Sequence, residues 1–456
     1  MNMDLTQEKY KLSRYNVLHE DGDVHFMWNT YSNALLKLDK DDQKYIQSFY
    51  GVNDESKEFN LLKSQGFIVH NQINEFNRVC SQEKQGLLLR NAEEIKASIL
   101  LGMTCNYHCH YCFEKAAITC SSKQLPQMTP EIADKITEYI CQQLKNNQTV
   151  KKLKILWFGG EPLLYKSVLK HISRKIMAFT QHHNITYSGD IVTNGRFLDK
   201  NTLIELQELG VDEGQITLDG TQEVYCKSKG ASSEDFDYVI ENICQAAEKI
   251  ALLIRLNIPD NDANEAIAIT DYLYGHKNLL GKVRVYFAFV KDYSLPPSTA
   301  RQAYVKFTQN YSHWLNHVIE HYGASNVAIR FPIRKSTSCG SIRERNFCID
   351  SSGNLYKCER RFGDDTRITG DIWNGGYYND THLAYLSTVD SPLKNECSQC
   401  SYLPICMGGC ANDFVVGYDG FDCDAYKRLQ FKLKLLEGGY KLETAGGHKL
   451  ETNYKS

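Results

Sequence analysis

Residues 103–114 of the chain read MTCNYHCHYCFE. Three cysteines stand in this stretch in C-x3-C-x2-C spacing: Cys105, Cys109 and Cys112. Thiolates so spaced can wrap one side of an iron–sulfur cube, binding three irons and leaving the fourth open to a substrate or cofactor. A structural zinc ion takes four protein ligands instead, and His108 or His110 could supply the fourth. The stretch therefore predicts an open, reactive metal centre, with tetrahedral zinc as the alternative.

The cysteine stretch follows the first of six apolar segments that predict β-strands. These segments are residues 98–103, 153–158, 186–193, 213–218, 252–258 and 283–290. Helical spacing of apolar residues occupies the intervals, for example residues 130–145, 168–182 and 236–249. Strands that alternate with helices are typical of βαβ units and a parallel sheet. We therefore predict an α/β fold with a partial (β/α)6 TIM-like barrel, whose cysteines lie at the strand ends where such barrels carry out chemistry.

The sequence on either side of the predicted barrel has a different character. Residues 15–39 predict a strand, a turn at Asp21-Gly22, a second strand and a short helix, which indicates a small α+β module. After Pro332 the chain is rich in glycine and serine turns and has few periodic segments. We predict four parts: the N-terminal module (1–92), the barrel (93–310), a loop-rich C-terminal domain (311–430) and a flexible polar tail (431–456).

Composition narrows the classes of partner. The 456-residue chain has 42% hydrophobic residues and a formal net charge of only −3. Its basic residues are dispersed and no apolar run reaches membrane-spanning length, so we expect neither a nucleic-acid groove nor a membrane segment. The N-terminus lacks the apolar segment of a secretory signal, and we expect a cytoplasmic, reducing location. In that environment grouped cysteines are metal ligands rather than disulfides.

The sixteen cysteines divide into isolated and grouped residues. Five stand alone and are expected to be small buried hydrophobes: Cys80, Cys120, Cys141, Cys226 and Cys244. Eight are grouped after the barrel: Cys339, Cys348, Cys358, Cys397, Cys400, Cys406, Cys410 and Cys423. Eight thiolates suffice for two fully ligated four-iron clusters or for two tetrahedral zinc ions. Bound metal can replace the apolar core that so loop-rich a region lacks.

The C-x3-C-x2-C stretch, with the aromatic Tyr111 before its last cysteine, resembles the signature of the radical S-adenosylmethionine (radical SAM) superfamily. The resemblance implies that S-adenosylmethionine binds the open iron of a [4Fe–4S] cluster through its amino and carboxylate groups, with Tyr111 beside it. An electron from the cluster then cleaves the cofactor to methionine and a 5′-deoxyadenosyl radical, which takes a hydrogen atom from the substrate. The protein is expected to position the reactants and to exclude water.

Further turns at the predicted strand ends are similar to cofactor-binding motifs of that superfamily. They are Gly159-Gly160-Glu161-Pro162, Thr193-Asn194-Gly195 and Thr217-Leu218-Asp219-Gly220. Glycine allows a backbone to approach a ligand closely, and a carboxylate can receive an ammonium group. The resemblance implies that the Gly159-Gly160 backbone and Glu161 hold the methionyl amino group, and that Thr193 and Asn194 line the cofactor site. Relatives usually continue with a His-Asp pair and an Arg, where this chain has Tyr225, Cys226 and Lys227.

The C-x2-C-x5-C-x3-C run that begins at Cys397 resembles the SPASM extension of radical SAM enzymes. The resemblance implies two auxiliary [4Fe–4S] clusters with interleaved ligands. The inner cluster would take Cys339, Cys348, Cys358 and Cys410, and the outer cluster would take Cys397, Cys400, Cys406 and Cys423. Glu359 directly follows Cys358, and an acid at this place acts on the substrate in sulfatase-maturating relatives. The alternative for Glu359 is a solvated charge beside two arginines.

Residues 9–90 resemble, more loosely, the N-terminal region of radical SAM peptide maturases, around Tyr15-Asn16-Val17 and Trp28-Asn29-Thr30. There a small winged-helix-like domain binds the leader of a ribosomal precursor peptide by strand addition; the alternative is a packing extension of the barrel.

We expect a peptide maturase that forms thioether or carbon–carbon cross-links, with three [4Fe–4S] clusters and an external electron donor such as flavodoxin or ferredoxin. The alternatives are an anaerobic sulfatase maturase, which oxidises Cys or Ser to formylglycine, and a non-catalytic zinc or electron-transfer protein.

Overall fold

The structure is a computed structural model that describes residues 9–21, 23–52, 55–114, 125–259, 262–291, 295–376, 379–393, 395–418 and 420–440. Gly22 of the predicted turn, the isolated Cys120 and residues 441–456 lie outside the described residues. No helix among the described residues is both long and apolar enough to span a bilayer.

The N-terminal module contains two small antiparallel sheets and three helices. Its elements are β1 (Tyr10–Leu12), β2 (Asn16–Asp21), β3 (Val24–Asn29), β4 (Leu35–Leu38), α1 (Lys40–Ser48), α2 (Lys57–Ser64), β5 (Ile68–His70) and α3 (Glu75–Glu93). Strands β2, β3 and β4 form one sheet in that order, and β1 pairs with β5. The short helix expected before Asp39 is wrong, because Leu36 and Leu38 pack as strand residues against the core under α1 and α2. The helix begins only at Lys40, where Asp39 accepts hydrogen bonds from two backbone N–H groups.

The middle of the chain forms the predicted partial barrel. Its strands are β6 (Glu94–Leu100), β7 (Lys152–Phe158), β8 (Thr186–Thr193), β9 (Val211–Leu218), β10 (Ala251–Leu256) and β11 (Val283–Phe287). They pair in parallel in sequence order. The helices are α4 (Pro130–Asn146), α5 (Lys166–His182), α6 (Lys200–Glu208), α7 (Gln222–Lys229), α8 (Ser233–Ala246), α9 (Ala263–Asp271) and α10 (Pro297–Tyr322). The predicted α/β fold class and six-strand barrel are confirmed.

Alternation along the barrel strands determines which side chains can reach a ligand. In β7, β9 and β10 every second side chain near the strand end is buried. The residues between them are half-buried and face the concave side of the incomplete barrel, as Phe158, Thr217 and Arg255 do. Because strand side chains alternate between faces, the same pattern that builds the core also places polar groups inside the barrel.

The C-terminal region extends the barrel sheet, which the sequence did not predict. Strand β12 (Asn346–Ile349) pairs in parallel with β6, and β13 (Asn354–Tyr356) and β14 (Gly370–Asp371) continue the sheet to nine strands. The remaining helices are α11 (Asp380–Ser387), α12 (Leu403–Cys406), α13 (Ala411–Val416) and α14 (Cys423–Glu437). Helix α10 spans the predicted domain boundary at 310. Helix α14 extends beyond residue 431, where the polar tail was predicted to begin, and its Phe431, Leu433 and Leu435 are buried. The division into four parts stays a prediction.

Candidate active site at the open end of the barrel

The three-cysteine loop follows β6 and is fastened to its neighbours through backbone hydrogen bonds. Glu161 N–H donates to the Thr104 carbonyl at 3.0 Å, which ties the loop to the end of β7. On the other side, His108 N–H donates to the Lys229 carbonyl at 2.7 Å. The loop is therefore held between the strand ends and the C-terminus of α7, at the end of the barrel that the sequence predicted.

The glycines at the end of β7 are required by this close approach. A Cβ atom added at Gly160 would lie 2.5 Å from the carbonyl oxygens of Met103 and Thr104, and one added at Gly159 would lie 2.6 Å from the Gly102 carbonyl oxygen. Such distances are far below van der Waals contact, so only glycine lets the two strand ends meet. The two glycines thus fix the position of the cysteine loop, in addition to lining the cavity described next.

A cavity of about 220 Å³ opens in front of the loop. All three cysteines line it. Of the other predicted cofactor residues, the wall includes Tyr111, Gly159, Gly160, Thr193 and Asn194. It also includes polar residues to which the sequence analysis gave no role: Glu114, Gln215, Lys229, Arg255, Asn257, Lys291 and Arg360. The structure therefore brings most of the predicted cofactor site together around one space.

Burial favours the protonated form of two of the three thiols. Burial raises the pKa of Cys105 to about 11. Burial also raises the pKa of Cys109, although the ammonium group of Lys229 opposes the rise. Metal ions bind the thiolate, so cluster assembly must release these protons, and a partly buried, soft sulfur donor set facing a cavity suits iron. The residues present therefore fit a cluster with an open position.

A buried ion pair stands behind the cysteine loop. Lys229 Nζ lies 3.6 Å from Asp219 Oδ2, and the side chains are 3% and 0% exposed. Tyr111 donates its hydroxyl hydrogen to Asp219 Oδ1 at 2.6 Å. Lys229 is the last residue of α7, and its carbonyl holds the loop while its side chain lines the cavity. The Thr217–Gly220 turn thus supports the cluster loop through Asp219, and a basic side chain reaches the site from α7.

Glu161 does not lie on the cavity wall. Its carboxylate is 0% exposed and accepts hydrogen bonds from the Thr193 hydroxyl at 2.7 Å, the Asn194 N–H at 2.8 Å and the Leu163 N–H at 3.0 Å. Burial raises the pKa of Glu161, and these three donors oppose the rise. The carboxylate therefore joins the ends of β7 and β8 behind the cavity. The contact of Glu161 with the cofactor's ammonium group, which the motif implied, stays a prediction.

Glu114 is the carboxyl group that does face the cavity. Its side chain is 5% exposed, and Oε1 has no hydrogen-bond partner among the described residues. Burial and the nearby Glu161 raise the pKa of Glu114 to about 8. A buried carboxyl oxygen without a hydrogen-bond partner lowers the stability of the folded protein, and a ligand group that pairs with it removes this loss. Glu114 and the adjoining polar wall therefore fit a cofactor that carries an ammonium group.

Two polar residues at the end of β10 complete the wall. Arg255 donates from Nε to Asn257 Oδ1 at 2.8 Å, and both residues line the cavity. The signal for them is present in the sequence, since Arg and Asn interrupt an otherwise apolar strand at its carboxyl end, where barrel ligands bind. Their orientation toward the concave side depends on strand register and became visible only in the fold.

Glu359 is close to the barrel but outside the cavity wall. Ser98 of β6 donates its hydroxyl hydrogen to Glu359 Oε1 at 2.8 Å. The next residue, Arg360, lines the cavity. The structure therefore gives Glu359 a partner on the first barrel strand. A catalytic role for Glu359 stays a prediction.

Several of the C-terminal cysteines lie near one another, and their division between two clusters stays a prediction. Burial raises the pKa of Cys358, and the neighbouring thiols of Cys339 and Cys410 contribute. Burial also raises the pKa of Cys406 to about 11, with contributions from Cys397, Cys400 and Cys423. No three His, Cys, Asp or Glu side chains within the described ranges converge closely enough to share one metal ion. In a four-iron cluster each thiolate binds a different iron, so the four cysteines need not converge on a single ion. Neighbouring cysteines are therefore compatible with the two predicted clusters.

Comparison with known proteins identifies the barrel domain. The family model of the radical SAM superfamily matches residues 99–271. The cysteine-type anaerobic sulfatase-maturating enzyme of Clostridium perfringens (strain 13 / Type A) is 22% identical over 343 residues, which cover 67% of this chain and 85% of that enzyme. The structure of native anSMEcpe with bound AdoMet and Cp18Cys peptide aligns with a TM-score of 0.54 at 18% identity, covering 75% of this chain and 96% of that one. Streptococcus suis SuiB bound to precursor peptide SuiA aligns at 15% identity over 90% and 98% of the chains, but its TM-score of 0.49 is too low to support an argument.

The matched range begins within β6 and ends with α9. It therefore contains the cysteine loop and the ends of β6 to β10, which surround most of the cavity. A radical SAM domain implies S-adenosylmethionine and an iron–sulfur cluster as cofactors, and it indicates an enzyme rather than a non-catalytic protein. Because the signature cysteines, their place after the first barrel strand and the family match all agree, residues 99–271 are a radical SAM domain and the chain is a radical SAM enzyme.

Proposed function

We propose that this enzyme abstracts a hydrogen atom from a ribosomally made precursor peptide and installs a thioether or carbon–carbon cross-link. Forming one cross-link removes two hydrogens from the peptide, one as a hydrogen atom and the other as a proton with its electron left behind. When bound, S-adenosylmethionine and its cluster supply the 5′-deoxyadenosyl radical, and the auxiliary clusters supply an acceptor for that electron. Flavodoxin or ferredoxin is the proposed external donor that reduces the enzyme.

In this proposal the cofactor site is the cavity in front of the cysteine loop. Cys105, Cys109 and Cys112 hold the cluster, and the polar wall that includes Glu114 and Arg255 receives the amino and carboxylate groups of the cofactor. The inner auxiliary cluster is assigned to the group around Cys358 and the outer one to the group around Cys406. The fold likeness to a structure that contains AdoMet and a peptide is consistent with a cofactor and peptide site in this fold.

The observation that carries the peptide proposal is the N-terminal module, which lies outside the matched domain. Its three-stranded sheet has β2 and β4 as outer strands, each paired only with β3 among the described residues. An extended leader peptide can add to such an edge, and main-chain hydrogen bonds then supply affinity. Binding there would raise the effective concentration of the core peptide at the radical site without changing the chemistry.

An anaerobic sulfatase-maturating activity is the second candidate, because the curated relative and the aligned anSMEcpe structure carry that name. The position of an acid at Glu359 agrees with it. The two candidates differ in their need for a leader-binding edge, since a sulfatase maturase would recognise a short motif alone.

Proline substitutions on the two sheet edges should identify a leader-binding strand. Thr30 N–H donates to the Tyr15 carbonyl and Asn29 N–H donates to the Ala34 carbonyl. Antiparallel pairs alternate, so the N–H groups of Leu18 on β2 and Lys37 on β4 point away from β3. Leu18→Pro or Lys37→Pro therefore removes an outward donor without breaking the sheet.

We expect one of these two variants to lower modification of the full precursor peptide by roughly tenfold or more, and the other to serve as its matched control. Mass spectrometry of the peptide measures the effect, and uncoupled cleavage of S-adenosylmethionine in the same samples reports on the barrel. Wild-type modification rates in both variants would exclude leader binding by strand addition.

A further inference from the structure

The N-terminal module packs against the segment that carries the outer cysteines. Its sheet turns the face opposite α1 and α2 toward residues 400–407 and α14. The Trp28 ring lies edge-on to Tyr402 and Phe431, with centroid distances of 5.7 Å and 5.9 Å. Phe26 and Ile405 belong to the same buried cluster. The module therefore shares an apolar core with the segment that carries Cys400 and Cys406.

A second buried cluster extends this contact to the end of the segment. Tyr15 and Val79 of the module pack with Leu403 and Met407, and all four are buried. Residues 397–407 contain only short helical turns, and their own backbone bonds include Cys400 N–H to the Cys397 carbonyl at 3.1 Å. So short a segment has no core of its own, and in this structure much of its apolar support comes from the module.

Two side chains of the module bind the backbone beside the cysteines. Arg14 donates from Nη2 to the Ser398 carbonyl and, at 3.2 Å, to Gln399 Oε1. Thr30, which is 0% exposed, donates its hydroxyl hydrogen to the Ser401 carbonyl at 2.5 Å. Both carbonyls flank Cys400. Hydrogen bonds from a distant part of the chain thus set the path of the loop that presents two thiols of the outer group.

We propose that the N-terminal module forms one wall of the outer auxiliary-cluster site, with Arg14 and Thr30 as positioning residues for the Cys397–Cys400 loop. The inference rests on the proposed outer cluster. It means that the module is part of the framework that assembles this cluster, and that removing residues 9–90 would disturb the cluster as well as any leader binding.

The test uses the full-length, reconstituted enzyme with the variants Arg14→Ala, Thr30→Val and their combination. Valine keeps the shape of threonine and removes only the donor, which leaves the Ser401 carbonyl unpaired. Lys63→Ala is the matched control, because Lys63 lies over the Tyr10 and Phe59 rings on the other side of the module. Two quantities are measured: iron per chain, and amide hydrogen exchange across residues 397–407.

The double variant should lose about four of roughly twelve irons, which is one cluster of three. Exchange across residues 397–407 should become about tenfold faster, while exchange in β2 and β3 stays as in the wild type. The Lys63→Ala enzyme should match the wild type in both measurements. A double variant with wild-type iron content and wild-type exchange would overturn the inference. A wild-type enzyme with only four irons would instead contradict the proposed auxiliary clusters, and exchange would still show whether the module supports the loop.

Discussion

An enzyme in which Cys105, Cys109 and Cys112 are all replaced by alanine should make no 5′-deoxyadenosine from S-adenosylmethionine. It should also contain about a third less iron than the wild type, roughly eight rather than twelve irons per chain. The physical reason is that these three thiols line the cavity proposed as the cofactor site, and the alanines leave the proposed cluster without protein ligands.

The matched control replaces three isolated cysteines, Cys141, Cys226 and Cys244, by alanine. None of them lines the cavity, so the iron content and the cleavage rate should stay at the wild-type level. Anaerobic iron and sulfide analysis and chromatography of the nucleoside products give both readouts. If the loop triple variant still forms 5′-deoxyadenosine, the catalytic cluster lies elsewhere.

The second large effect is expected at Glu161. Replacing it by alanine leaves the Thr193 hydroxyl and the N–H groups of Leu163 and Asn194 without their acceptor in a buried site. Each unsatisfied buried donor costs about 1–3 kcal/mol, and we expect the free energy of unfolding of the metal-free protein to fall by about 3 kcal/mol in total. Glu161→Gln keeps one acceptor oxygen and the shape, so its loss should be smaller.

Urea unfolding of the metal-free protein and titration of the reconstituted enzyme with S-adenosylmethionine separate two roles for this carboxylate. If Glu161 only holds the framework, its replacement lowers the unfolding free energy of the metal-free protein. Cofactor affinity then also falls, because the ends of β7 and β8 are displaced. If cofactor affinity falls while the unfolding free energy is unchanged, Glu161 contacts the ammonium group directly and the buried arrangement does not hold in the loaded enzyme.

The barrel could be predicted because its determinants are local. Each of the six strands is a short apolar run followed by a turn, and the predicted bounds differ from the observed ones by at most four residues; β8, at Thr186–Thr193, agrees at both ends. The cysteine loop was placed correctly because it directly follows the first of these runs. Repeating alternation of strand and helix leaves few topologies open.

Features that depend on contacts distant in sequence could not be predicted. Strand β12 joins β6 across about 250 residues, a pairing that no local pattern encodes. The Leu35–Leu38 segment is too short for periodicity to distinguish a strand from a helix. It is a strand because it pairs with β3. The motif implied that Glu161 binds the cofactor, but it did not indicate the hydrogen bonds by which this carboxylate joins the ends of β7 and β8.

The contact between the module and the outer cysteine group has the same origin. Arg14 and Ser398 are separated by 384 residues, and nothing near either residue indicates the other. From the sequence, the N-terminal module and the loop around Cys397 and Cys400 look unrelated. Only the fold shows that the module packs against this loop.

The central claim is that this radical SAM enzyme cross-links a precursor peptide, and the mass of the product tests it most directly. The reconstituted enzyme is incubated anaerobically with reductant, S-adenosylmethionine and, as candidate precursor, any short cysteine-rich peptide found encoded beside it, and the peptide is analysed before and after treatment with a carbonyl reagent. We predict a peptide lighter by two hydrogen atoms for each cross-link, inert to the reagent, with 5′-deoxyadenosine formed alongside. A product that reacts as an aldehyde would contradict the claim and indicate formylglycine formation instead.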